Sequence, residues 1–229
     1  MSVHQNFLLA RIKAAGIESF LPRLSVVELR AGQVIAEMQQ PVHSVHFPHS
    51  GIISCVVQLV GGGTIATGMI GRDGAFGASQ ALDGRVSLNK VVAQVPGVAS
   101  VINDAHLVKA AESHPELRRI LLKYDQFLLA QTQQTAACNA LHSIQMRTCK
   151  WLLRMHDLAG TDFALTQEFL AQMMGVRRTS VTDVAGDLQK AGLIAYQRGQ
   201  VRLIEIEKIR SLSCECHQDI RSQYRRIFA

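Results

Sequence analysis

Between Thr166 and Arg198 the chain carries side chains of the kind that bind DNA, at the intervals that binding requires. Arg177, Arg178, Thr179, Thr182 and Asp183 cluster near the start of a predicted helix. Guanidinium, hydroxyl and carboxylate groups presented there can reach base edges and phosphates in a major groove. Thr166 and Gln167 stand at the start of the helix before it, and Arg198 lies in an Arg-Gly-Gln turn further on.

Local sequence positions these groups. Thr166 is a suitable N-cap, with Gln167 and Glu168 in the first turn. Phe169, Leu170, Met173 and Met174 then form one apolar stripe at helical spacing. Gly175 stops that helix, and Val176, Val181, Val184 and Leu188 define the buried face of a second. Small Ala171 lets the two approach closely, so the unit reads as a helix-turn-helix. Ala195–Gln197 and Val201–Ile204 flank Arg198-Gly199-Gln200, a hairpin with a basic tip that reads as the wing of a winged helix.

These residues, together with RTCKWLL at Arg147–Leu153, resemble the DNA-binding domain of the Crp/Fnr superfamily of bacterial transcription regulators. The resemblance implies that Thr166 contacts a phosphate and that Arg178 reads a guanine. The family often has Glu where this chain has Thr179, and a second base-reading Arg is replaced by Asp183, so the operator of the best-known members does not carry over. It also implies a homodimer on double-stranded DNA, with RNA polymerase as a partner in activation. Repression by occlusion fits the residues equally well. A cytoplasmic sensor whose winged helix binds protein is the alternative, and no nucleophile, base and acid group together as an enzyme would need.

The remaining composition agrees. The 229 residues are enough for two modest domains, with a net charge of +6. Of the 24 basic and 18 acidic residues, 13 and 9 follow residue 142. Five scattered cysteines are not a disulfide framework and point to a reducing cytoplasm. Residues 1–16 lack a secretory pattern and read as a short amphipathic helix. The uncharged run Gly51–Gly71 holds six glycines and reads as two strands about a Gly61–Gly63 turn, not as a membrane span.

From Leu24 to Ile102 short β-rich runs recur: 34–36, 42–47, 52–59, 64–69, 91–95 and 99–102. The expected fold is therefore α+β: a β-roll over 1–113, a helix over 114–142 and a winged helix-turn-helix over 143–229. The resemblance makes the roll similar to a cyclic-nucleotide-binding jelly roll that could hold a small-molecule effector, with Phe76, Gly77, Ala78, Leu88, Asn89 and Tyr124 as the candidate pocket. In relatives that bind cyclic nucleotides, a Glu holds the ribose and an Arg the phosphate. Ala78 and Leu88 occupy those slots here and supply neither contact. Arg85 and Lys90 are the cations a shifted register would offer. No cyclic nucleotide is expected, and an iron-sulfur cluster of the N-terminal type is excluded because no cysteine precedes Cys55.

Pro115 opens a helix in which Leu117, Leu121, Tyr124, Leu128, Gln131, Thr135, Cys138 and His142 recur at spacings of four and three. That is the pattern of a coiled-coil dimer seam, apolar above and polar below, and the polar half suits two arrangements of similar energy. No metal site is expected. His43, His46 and His49 at spacing three on a strand point apart. Cys214 and Cys216, on a C-terminal helix, also diverge and read as packing, as does the neighbouring His217.

Overall fold

The computed structural model describes residues 6–61, 63–84 and 86–228. Gly62 of the glycine turn, Arg85 and residues 1–5 of the expected amphipathic segment lie outside the described residues. The chain forms two compact units, one of residues 1–56 and 68–128, the other of 57–67 and 129–229. Among the described residues no helix is long and apolar enough to cross a membrane.

The first unit opens with α1 (Phe7–Ala14). Buried Asn6 caps it, accepting from the Leu9 N–H at 2.9 Å while its amide donates to the Pro48 and Gly74 carbonyls, both at 2.8 Å. Among the described residues seven strands follow: β1 (Ser25–Leu29), β2 (Val34–Ala36), β3 (Ser44–Pro48), β4 (Ile52–Gln58), β5 (Thr64–Ile70), β6 (Lys90–Val95) and β7 (Gly97–Asn103). They make two sheets, ordered β1-β7-β3 and β2-β6-β4-β5, with α2 (Ala78–Asp83) between β5 and β6. In β6 buried and half-buried residues alternate, the period of a strand with one face on a core. That core gathers Leu29, Val42, Ile53, Ile70, Phe76, Val91, Ala93 and Ala99. The sequence reading passed over β1, although Val26 and Val27 favour a strand, and α3 (Asp104–Ser113), capped by Asn103.

Helix α4 (Pro115–Leu141) begins in the first unit and ends in the second, where α5 (Ile144–Ala159) follows it with Ser143 as N-cap. Beyond lie β8 (Asp162–Ala164), α6 (Gln167–Met174), α7 (Arg178–Lys190), β9 (Ile194–Gln197), β10 (Gln200–Leu203), α8 (Ile206–Leu212) and α9 (Cys216–Phe228). The three strands form a sheet ordered β8-β10-β9, so the wing hairpin gains a third strand that the sequence reading did not include.

The seam expected on α4 is corrected. Leu117, Leu121, Tyr124, Gln131, Thr135 and Cys138 are buried within their own chain, and Leu128 packs against the β-roll core. Gln131 is 1% exposed. Thr135 accepts a hydrogen bond from the Lys150 ammonium at 3.2 Å. The heptad pattern marks a buried stripe, and its own chain already covers it. The α4 face left in solvent carries Leu122, Gln126, Leu129, Gln133, Ala136 and Ala140, again at spacings of four and three.

Tyr124 lies so close to Gly74 that a Cβ on that glycine would overlap its ring. Gly74→Ala should therefore destabilise the protein by about 1–3 kcal/mol, as overpacking does. Urea unfolding checks this, and an unchanged midpoint would mean that the ring is free to move.

Candidate nucleic-acid interface

Thr166 adopts the extended backbone of an N-cap and accepts the Phe169 N–H at 3.1 Å, which sets the start of α6. Phe169, Leu170, Ala171, Met173 and Met174 are buried. Gly175, at φ 63°, turns the chain in the left-handed region that glycine enters at least cost. Its N–H reaches the Ala171 and Gln172 carbonyls, and Val176 also donates to Ala171 at 3.1 Å. The Arg147 guanidinium supplies a further partner, donating to the Met174 carbonyl at 3.2 Å and to Asn139 O at 3.3 Å. The end of α6 is thereby tied to α4 and α5, within the second unit.

Helix α7 buries Val181, Ala185 and Leu188, with Val184 only half-buried, so Ala185 takes part of the place expected for Val184. Arg177, Arg178, Thr179, Thr182 and Asp183 are exposed, as their positions on the helix require. Thr182 Oγ1 lies 2.7 Å from Gln167 Oε1 and 3.1 Å from the Arg178 carbonyl. Its single proton serves one of them, and given to Gln167, the shorter contact, it braces the first turns of the two helices.

The wing is a two-residue hairpin in which Gln197 pairs with Gln200, and Arg198 and Gly199 both have positive φ, 50° and 75°. Such turns match the twist of the strands they join. Arg198 sits there against its own backbone preference and projects from the tip in solvent. Thr166, Gln167, Glu168, Arg178, Tyr196, Arg198 and Gly199 line one open cleft of roughly 430 Å3. Among the described residues its lining offers two guanidinium groups and two hydroxyls, those of Thr166 and Tyr196, with Glu168 as the one acid. Tyr196, which the sequence reading did not single out, donates through its phenol to the Leu165 carbonyl at 2.7 Å. Burial pushes that phenol up to about 12, against the opposing charge of Arg178, so it remains a neutral donor.

The residues expected to form an effector pocket do not stand open together. Phe76 belongs to the β-roll core and exchanges two backbone hydrogen bonds with His46, both at 2.9 Å. Tyr124 is buried against Gly74. Gly77 precedes α2, Ala78 is buried in its first turn, and Leu88 is 72% exposed. The carbonyl of half-buried Asn89 accepts from the Ser87 hydroxyl at 2.7 Å. Lys90, one of the two cations that could have met a phosphate, pairs with Glu37 at 3.2 Å. Arg85, the other, lies outside the described residues.

The histidines at spacing three separate, but His49 is buried, not at the surface, and hydrogen-bonds Ser100 Oγ at 2.7 Å. His43 is exposed beside Asp104, and burial lowers the pKa of His46 against the raising effect of a backbone hydrogen bond at Ser44. The expected divergence of Cys214 and Cys216 is overturned. Cys214 precedes α9 and Cys216 opens it, so the helical rotation that would part them does not apply, and both sulfurs pack with Cys138. His217 turns elsewhere, with Nε2 on Asp157 Oδ2 at 2.8 Å.

Residues 146–213 match the family model of the Crp-like helix-turn-helix domain. Over 211 residues the chain is 23% identical to the global nitrogen regulator of Synechococcus elongatus, an alignment spanning 88% of this chain and 94% of that protein. Its fold is similar to that of FixK2 from Bradyrhizobium japonicum, with a TM-score of 0.72 at 16% identity over 83% of this chain and 98% of the other. It is also similar to the c-di-GMP responsive global regulator CLP of Xanthomonas campestris, with a TM-score of 0.65 at 17% identity over 83% and 98% of the two chains.

Because Arg198 is held at positive φ, Arg198→Asn should leave the fold intact and raise its stability by a few tenths to about 1 kcal/mol, since asparagine tolerates that region better. Denaturant unfolding measures this. A loss of stability would show that the arginine stabilises the wing, not a bound partner.

Proposed function

Taking as premise a chain with a Crp-like helix-turn-helix domain at residues 146–213 and the fold of Crp/Fnr-type regulators, we propose that it is a transcription regulator that reads an inverted-repeat DNA site as a homodimer. The observation that carries this reading is the cleft in which Thr166, Arg178 and Arg198 meet beside the exposed start of α7. Arg178, Thr179 and Asp183 would face base edges, while Thr166, Arg177 and Arg198 would hold phosphates. Gln167 and Thr182 keep the two helices at the angle this needs. Two such units would enter successive major grooves about one helical turn apart, ~34 Å.

The dimer contact is assigned to the exposed face of α4, with Leu129 (59% exposed) and Leu122 as its apolar anchors and Ala136 and Ala140 permitting close approach. The β-roll works without a cyclic nucleotide. Ala78 and Leu88 offer no group to a ribose or a phosphate, and Lys90 is already paired.

Arg178→Ala should lower discrimination at one base pair of each half-site by about 1–3 kcal/mol. Arg198→Asn should weaken binding evenly across sequences and reduce the salt slope by about one. Binding to a panel of single-base operator variants separates these effects, and unchanged preference in Arg178→Ala would refute base reading by α7. Leu129→Lys combined with Leu122→Lys should give a monomer in sedimentation. A dimer that survived both changes would place the contact elsewhere.

A further inference from the structure

The geometry points to a zinc site of three cysteines and one histidine: we propose that Cys138, His142, Cys214 and Cys216 bind one Zn2+ in a closed tetrahedron that pins the end of α4 to the start of α9. All four belong to the second unit, and the inference does not rest on DNA binding. Cys138 lies in the last turn of α4 and His142 directly follows the helix, its N–H still donating to the Cys138 carbonyl at 3.1 Å, so the two share a face. Cys214 and Cys216 reach them from the segment that joins α8 to α9.

The spacing is that of a single ion. The four donor atoms lie within 4.8 Å of one another. Cys138 Sγ and Cys214 Sγ are 3.6 Å apart, and Cys216 Sγ is 3.5 Å from His142 Nδ1. Zinc bonds of ~2.3 Å to sulfur and ~2.0 Å to nitrogen imply tetrahedral edges of about 3.8 and 3.5 Å. The cage is too tight for a cluster of several metal atoms, and a tetrahedral thiolate-imidazole set favours Zn2+ over harder divalent ions.

The surroundings are those a metal ligand set requires. His142 Nε2 stands 3.2 Å from Glu215 Oε1, the kind of carboxylate partner that orients a ligating imidazole, and its Nδ1 faces Cys216 Sγ at 3.5 Å. Gln134 Nε2 donates to Cys216 Sγ at 3.2 Å. The three cysteines are buried with Met146 against them, leaving no open coordination position for water. Lys150 is 0% exposed, and its ammonium donates at 3.2 Å to Thr135, three residues before Cys138 on α4. Three thiolates, one neutral imidazole and Zn2+ carry one net negative charge, which the Lys150 ammonium balances in a place where an uncompensated charge would be costly.

The test is the metal content of the full-length protein, purified under reducing conditions without chelator and without added metal. One zinc per chain is expected, released when a mercurial titrates the thiols. Replacement by Co2+ should give the thiolate charge-transfer band and the d–d absorption of a tetrahedral site. Cys214→Ser should reduce bound zinc by about tenfold or more at matched free metal. Cys55→Ser, whose thiol lies on β4, should keep the full amount. If Cys214→Ser does not fold, the Co2+ spectrum of the unaltered protein still decides. Five free thiols with no zinc taken up on reconstitution would overturn the site, as would a Cys138–Cys214 disulfide in that reduced protein or bound iron with sulfide.

Discussion

Burial of one stripe of α4 is the constraint on which the rest of the molecule depends. In the first unit, Leu117, Leu121 and Tyr124 are enclosed and Leu128 joins the β-roll core. In the second, Gln131, Thr135 and Cys138 continue the same stripe, and Thr135 meets the ammonium of Lys150. A buried lysine is tolerated only with a partner, so the contact from Lys150 to Thr135 fixes this half of the helix alongside apolar burial. Its polar residues are buried within their own chain. They are not the loosely held half of an intersubunit seam.

That choice of inward face determines what α4 can offer outward. With the heptad stripe spent inside, the free surface is the row from Leu122 to Ala140, which mixes two leucines with glutamines and alanines. Such a surface associates more weakly than an all-leucine seam, and its alanines let two helices lie close. At the other end of the same chain of contacts, Arg147 links Asn139 of α4 to the last carbonyl of α6. The position of the first helix of the helix-turn-helix is thus set by hydrogen bonds from α5, while Gly175 sets the angle of the second.

The helix-turn-helix was legible because its signals are local. An N-cap threonine, a small residue, a glycine and the apolar positions that follow fix two helices and expose Arg177 to Asp183 with no knowledge of distant contacts. Strands β2 to β7 were legible from β-branched runs between turns. What failed required partners far along the chain. Periodicity showed that the stripe from Leu117 to Cys138 is buried but not what buries it. Helical geometry correctly parts residues at i and i+2, but Cys214 precedes its helix, and no local signal tied it to Cys138, 76 residues earlier. His49 read as a surface residue because Ser100, its partner, lies 51 positions away. The pocket drawn by resemblance around Phe76 and Tyr124 missed that one residue serves the core and the other packs on Gly74.

The central claim is that α7 and the wing, presented twice by a dimer, read DNA sequence. The most direct measurement is selection of bound duplexes from a random pool by the full-length protein at physiological salt, followed by sequencing of the survivors. An inverted repeat with half-sites one helical turn apart is predicted, with no ligand added. Survivors that share no motif, from protein shown to be folded and dimeric, would contradict the account.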